Sequence, residues 1–102
     1  MVYHTYIMSE LVFHDKKLLD NEHLMEIKIW KVKKDKYNPE GFHYSLVLIR
    51  NNKRILGYDN HERKGHHKHV YDKELKYNFE SVDILLKNFY EDLKEMVSKN
   101  ES

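Results

Sequence analysis

With 102 residues and a formal net charge of +1, the chain has room for one hydrophobic core and none for a second, so residues 1–102 read as a single domain. An apolar share of 40% and an aromatic share of 13% exclude intrinsic disorder, and the absence of cysteine excludes disulfide stapling and thiolate chemistry. No apolar run approaches the ~20 residues of a membrane-spanning helix, and Met1 to Ser9 lacks the cationic start and apolar stretch of a secretory signal, so a cytoplasmic protein with no membrane partner is expected.

In chain order, residues 1–8 form an N-terminal segment in which Val2 to Met8 fits a short helix as well as a strand. Glu10 to His14 reads as a first short strand. Glu22 to Lys33 is a long one, with Met25, Ile27 and Ile29 on one face and Leu24, Trp30 and Val32 on the other. Trp30 reads as core or interface. Asn38-Pro39-Glu40-Gly41 supplies a turn, and Phe42 to Arg50 carries the run Leu46-Val47-Leu48-Ile49, a strand apolar on both faces. Asn51-Asn52 is a tight-turn pair that returns the chain as a partner strand, Lys53 to Asp59. Asn60 to Gly65 is polar and irregular, and His66 to Asp72 fits a further strand.

The last element is the plainest. Val82, Leu85, Leu86, Phe89, Tyr90, Leu93, Met96 and Val97 recur at three- and four-residue steps, which predicts a helix over 81–98. Ser81 is placed to cap it, and Asp83 complements the dipole of its first turn. Strands followed by one helix predict an α+β fold: an antiparallel sheet of about five strands across 9–72, with one long C-terminal amphipathic helix packed on one face. A single helix leaves the sheet's second face open. That face calls for cover from sheet curvature, the N-terminal segment or another chain, and another chain is the expectation.

Charge is unevenly spread. From Arg50 to Val70 six Lys and Arg residues stand against two acids, leaving +4, whereas from Ser81 to Ser102 three lysines against five acids leave −2. A positive middle suits a phosphate-bearing partner, although a solvated loop has the same composition. Within it, four of the eight histidines lie between His61 and His69. If His66 to Asp72 is extended, His67 and His69 share a face with Tyr71 while His66 and Val70 point toward the helix side. A His-x-His pair has three readings: an incidental polar strand, two ligands of a metal site with Asp59 or His61 as a third, or an acid–base pair with Arg63, Lys64 and Lys68 holding a phosphate. His43 and Tyr44, on the neighbouring strand, lie within reach of the same place.

Arg54-Ile55-Leu56-Gly57-Tyr58-Asp59-Asn60, followed by His66-His67-Lys68-His69, resembles the signature of the TumE-like toxins of prokaryotic toxin–antitoxin modules. The specific content lies in residues 54–70, and the order of elements is similar from 10 to 98. The chain departs from the pattern in its short connecting loop, His61 to Gly65, and in carrying Gly65 where a proline commonly precedes the histidines. The resemblance implies a growth-inhibiting toxin acting on RNA, and the residues supply parts for a small ribonuclease. His67 and His69 would exchange protons with the substrate, and Asp59 would orient one imidazole. Arg54, Arg63, Lys64 and Lys68 would bind phosphates, and Tyr58 would pack in the core or stack on a base. Asn60 would shape the turn, with His61 and His66 as further site residues. No cofactor is required by this scheme. A divalent metal at Asp59, His67 and His69 is one alternative, and a non-catalytic or metal-binding module that inhibits by binding a cellular target is the other. The implied partners are RNA and an antitoxin of the DNA-binding helix-turn-helix kind, with a homodimer also compatible.

Overall fold

The computed structural model describes residues 9–61 and 65–101, so the segment Val2 to Met8 lies outside the described residues. Six strands form one antiparallel meander: β1 (Ser9–Leu18), β2 (His23–Val32), β3 (Phe42–Arg50), β4 (Lys53–Asp59), β5 (His67–Val70) and β6 (Lys73–Lys76), hydrogen-bonded in that order. Helix α1 (Val82–Glu101) follows. The expected sheet-plus-helix architecture is present with one strand more than the pattern predicted. No helix among the described residues is long and apolar enough to cross a membrane.

The register follows from alternation and from the turns. Asn51 and Asn52 both take positive φ, 51° and 66°, the geometry of a two-residue hairpin whose twist suits the flanking strands. Between β1 and β2, the Asp20 carboxylate accepts from the Glu22 and His23 amides at 2.8 and 2.7 Å and holds the buried His23 ring. The link from β2 to β3 closes through Asn38, whose side chain donates to the Phe42 carbonyl at 2.8 Å. Gly41 sits at φ 78°, and a Cβ there would lie 3.0 Å from Lys34 Cγ, so the tight turn needs glycine twice over.

One face of the sheet makes the core. Met25, Ile27, Ile29, Tyr44, Leu46, Leu48, Leu56 and Tyr58 are buried against Leu85, Phe89 and Leu93 of α1. Ser81 caps that helix, its hydroxyl accepting from the Ile84 amide at 3.1 Å. The alternate residues of the central strands, Leu24, Trp30, Val32, Val47 and Ile49, are only half-buried on the opposite face. Nothing in the described chain lies across that face as α1 lies across the other.

The difference from the sequence pattern is local. His66 to Asp72 is not one strand: β5 ends at Val70, and Tyr71, at φ 53°, starts a tight turn into β6. Strand β6 is exposed throughout and mostly charged, as edge strands often are, so it carries no apolar alternation to read.

Candidate active site on the open face of the sheet

Strands β4 and β5 set the site. Their register pairs Asp59 with His67 and Gly57 with His69, so the three polar side chains stand on one face, opposite the face that carries Leu56 and Tyr58. Asp59 Oδ2 lies 3.2 Å from His69 Nε2, a diagonal contact across the two strands, with both side chains less than one-fifth exposed. Glu74 of β6, directly opposite His69, brings a second carboxylate to 3.8 Å from the same nitrogen. His67 stands two residues from His69, about 7 Å away along the strand, with Ser45 beyond Asp59 on one side and Lys76 on the other.

Arg54 joins this group through an irregularity in the ladder. Leu48 pairs with Leu56 but Ile49 pairs with Arg54, which leaves Ile55 as an extra residue in β4. Simple alternation would place Arg54 with Leu56 and Tyr58 under the helix. The bulge shifts the parity and turns Arg54 to the histidine face, a common effect of bulges beside functional sites. The Ile55 carbonyl accepts from the Tyr71 amide at 3.0 Å, one step beyond the Leu56–Val70 pair of β4 and β5. Gly57 then makes room: a Cβ there would stand 3.1 Å from Arg54 Cδ and 3.5 Å from its Nε and Nη1. The arginine therefore lies over the bare glycine backbone, with His69 paired to that glycine on the next strand.

Other candidates from the sequence are placed elsewhere. Tyr58 is 2% exposed and packs edge-to-face against Tyr77 and Phe89. Its hydroxyl donates to Asp92 of α1, and burial, with that carboxylate, pushes it far above the usual tyrosine range. Of the two roles expected for Tyr58, core packing is the one that its position allows. Lys68 faces the helix as well, 2.6 Å from Asp92 and above the Tyr58 ring; it points away from the histidine pair because it alternates with it. Asn60 does not adopt left-handed geometry. It is buried and extends the sheet with its side chain, accepting from the Tyr44 amide at 2.9 Å and donating to the Phe42 carbonyl at 2.7 Å.

His66 also belongs to the helix side, as alternation predicted for it and Val70. Its ring stacks on Phe79 at 4.9 Å. Its Nδ1 lies 2.8 Å from the Tyr44 hydroxyl and its Nε2 lies 2.7 Å from the Glu40 carboxylate, so both ring nitrogens are engaged. Burial raises the Tyr44 hydroxyl well beyond its ordinary range, keeping it a donor. His61 is exposed and lies beside His43, ring centroids 6.2 Å apart. Burial, then the neighbouring His61, lowers the pKa of His43. Arg63 and Lys64 lie outside the described residues. Among the described residues no three His, Asp or Glu side chains close on a common point with metal-ligand geometry.

Pattern reading missed three features: the bulge at Ile55, the opening at Gly57, and the strand that brings Glu74 and Lys76 beside the histidines. A glycine inside a strand is a recognised sign of a bulge or a close approach, so Gly57 was the available signal. Glu74 and Lys76 had none, since their strand is visible only through its pairing.

Chemically, the group combines a carboxylate-bound imidazole and a second imidazole, both half-buried on one strand face, with an exposed guanidinium beside them. Comparison with curated proteins and with solved structures finds no match. Residues 4–97 match the family model for the toxin TumE, a span that takes in the strands, the histidine face and nearly all of the helix, and the chain belongs to that toxin family.

Proposed function

We propose that this toxin is a small ribonuclease that cleaves RNA by histidine acid–base chemistry on the open face of the sheet. The observation that carries the reading is the contact of Asp59 with His69, beside His67 and the bulge-directed Arg54. With Asp59 at Nε2, His69 has Nδ1 left to take the proton of a 2′-hydroxyl. The 2′-oxygen attacks phosphorus, the bond to the 5′-oxygen breaks, and His67 protonates that leaving oxygen. The products are a 2′,3′-cyclic phosphate and a 5′-hydroxyl. Each proton transfer is worth about 10²–10⁴-fold in rate. Arg54 balances the charge that develops on the phosphate oxygens, the electrostatic part of such catalysis.

The test is an oligoribonucleotide cut at a mapped position, compared with the same strand carrying one 2′-deoxynucleotide there. Both strands are tested with and without excess EDTA, and the scheme requires the same outcome in each. Cleavage of the first and protection of the second support the scheme. Cleavage that stops in EDTA and returns with one divalent ion points instead to a metal held at Asp59, His67 and His69. No cleavage under any condition, with tight binding to a cellular protein, favours a toxin that inhibits by binding. As a toxin the protein implies an antitoxin. We take this to be a DNA-binding helix-turn-helix protein, with both acting in the cytoplasm, and light scattering of the isolated toxin decides between monomer and homodimer.

A further inference from the structure

The two faces of the sheet differ in charge as well as in cover. Around α1 and its approach the acids Glu40, Glu80, Asp83, Glu91, Asp92 and Glu95 outnumber the lysines Lys68, Lys87, Lys94 and Lys99. The open face instead presents a row across all six strands, His14, Lys28, Ser45, Asp59, His67 and Lys76, each the register partner of the next. A parallel row carries Lys16, Glu26, Val47, Gly57, His69 and Glu74. Glu26 is engaged by His14 at 3.0 Å and by Lys28 at 3.8 Å, and these neighbours lower its pKa. At one end of the face Trp30 pairs with His43, and His43 in turn lies beside His61. Trp30 is half-buried and His43 is exposed, so this end offers aromatic ring surface next to a lysine.

We infer that Trp30 and His43 form a base-stacking subsite for single-stranded RNA, holding nucleotides a few positions away from the scissile phosphate while Lys28 contacts a phosphate of that same stretch. The inference rests on the ribonuclease reading above and names the form of its substrate. Strands ~4.8 Å apart put β2 about 14 Å from β5, a span that an extended single strand covers in a few nucleotides. A duplex would bury its base faces and gain nothing from Trp30, whereas unpaired bases stack on aromatic side chains whatever their sequence. Partial desolvation of the ring, then His61, favours the neutral form of His43, so it too presents a π-face. Acidic groups on the helix side steer the polyanion to the open face.

Trp30 is the sole tryptophan, so its emission reports the subsite directly. Wild-type protein is titrated with a short fully 2′-deoxy strand, which binds without being cut, and with the same strand in a duplex. Quenching by the single strand, weak or absent with the duplex, is expected. In cleavage kinetics Trp30→Leu should raise KM about tenfold, the worth of a stacked base, with kcat little changed. Trp30→Phe should recover most of the loss, and exposed Lys87→Ala on α1 should change neither constant. If RNA is cut but the emission does not respond and Trp30→Leu cuts normally, the subsite is wrong and the ribonuclease reading stands. Quenching without cleavage keeps the subsite and removes the ribonuclease. A response to the antitoxin alone, with none to nucleic acid, overturns the subsite in favour of a protein interface.

Discussion

The helix-covered face and the open face of this sheet are built from the same strands, one residue out of phase, and they treat polar groups in opposite ways. Beneath α1 the polar side chains satisfy one another: Tyr58 and Lys68 converge on Asp92, His66 bridges Tyr44 and Glu40, and Asn88 donates to the Tyr77 hydroxyl. Among the described residues no buried side-chain nitrogen or oxygen lacks a partner. On the open face Asp59, His67, His69 and Arg54 are gathered by β4 and β5 without a covering element, within reach of a ligand. One face is closed by packing and paired polar groups, and the other is the face on which the proposed chemistry would take place. The division should be visible in mutants, since changes on one face should alter stability and changes on the other activity.

The largest expected effect is on the open face. His69→Ala and His67→Ala should each lower RNA cleavage about 10²–10⁴-fold and abolish growth inhibition, while thermal unfolding stays close to wild type. Asp59→Asn, which keeps the shape but removes the charge beside His69, should cost on the order of 10²-fold, within the range of lost acid–base assistance. A similar loss of stability in these variants would break the comparison. Gly57→Ala is a finer probe: its methyl would meet Arg54 Cδ at 3.1 Å and push the guanidinium aside. Cleavage should fall roughly tenfold, the scale of one displaced charge contact, with little change in unfolding.

The fold was legible in the sequence to the extent that apolar side chains alternate. Met25, Ile27 and Ile29 against Leu24, Trp30 and Val32 fixed both faces of β2, and the stripe from Val82 to Val97 fixed the helix. Strand β6 was not legible, because an edge strand has no core side to mark and because its turn uses Tyr71 at positive φ where a glycine or asparagine would have been the signal. For the site, parity correctly put His67 and His69 together and His66 with the helix. Lys68, expected to hold a phosphate there, instead faces the helix, where it meets Asp92. Arg54 reached the site through a one-residue shift in pairing, which sequence periodicity does not record.

Smaller effects belong to the helix side. Tyr58→Phe removes the hydroxyl from Asp92 and should cost about 1–2 kcal/mol of stability, read by urea denaturation, while cleavage is unchanged. Burial raises the Tyr44 and Tyr58 hydroxyls far above their ordinary range and Tyr77 upward as well. The native state therefore holds these protons more tightly than the unfolded chain. Their contribution is complete below about pH 10, the unfolded tyrosine value, and is lost as pH rises toward the native values. Urea midpoints should accordingly drop above that pH, and part of the tyrosine absorbance change should appear only with unfolding.

The measurement closest to the central claim is the chemistry of the cut ends. Purified toxin and its His69→Ala variant, each incubated with one RNA in excess EDTA, should differ in a single respect: the wild type yields 2′,3′-cyclic phosphate and 5′-hydroxyl ends, and the variant yields almost none. Equal cleavage by both proteins, or ends bearing a 3′-hydroxyl, would contradict the assignment of the open face as the reacting surface.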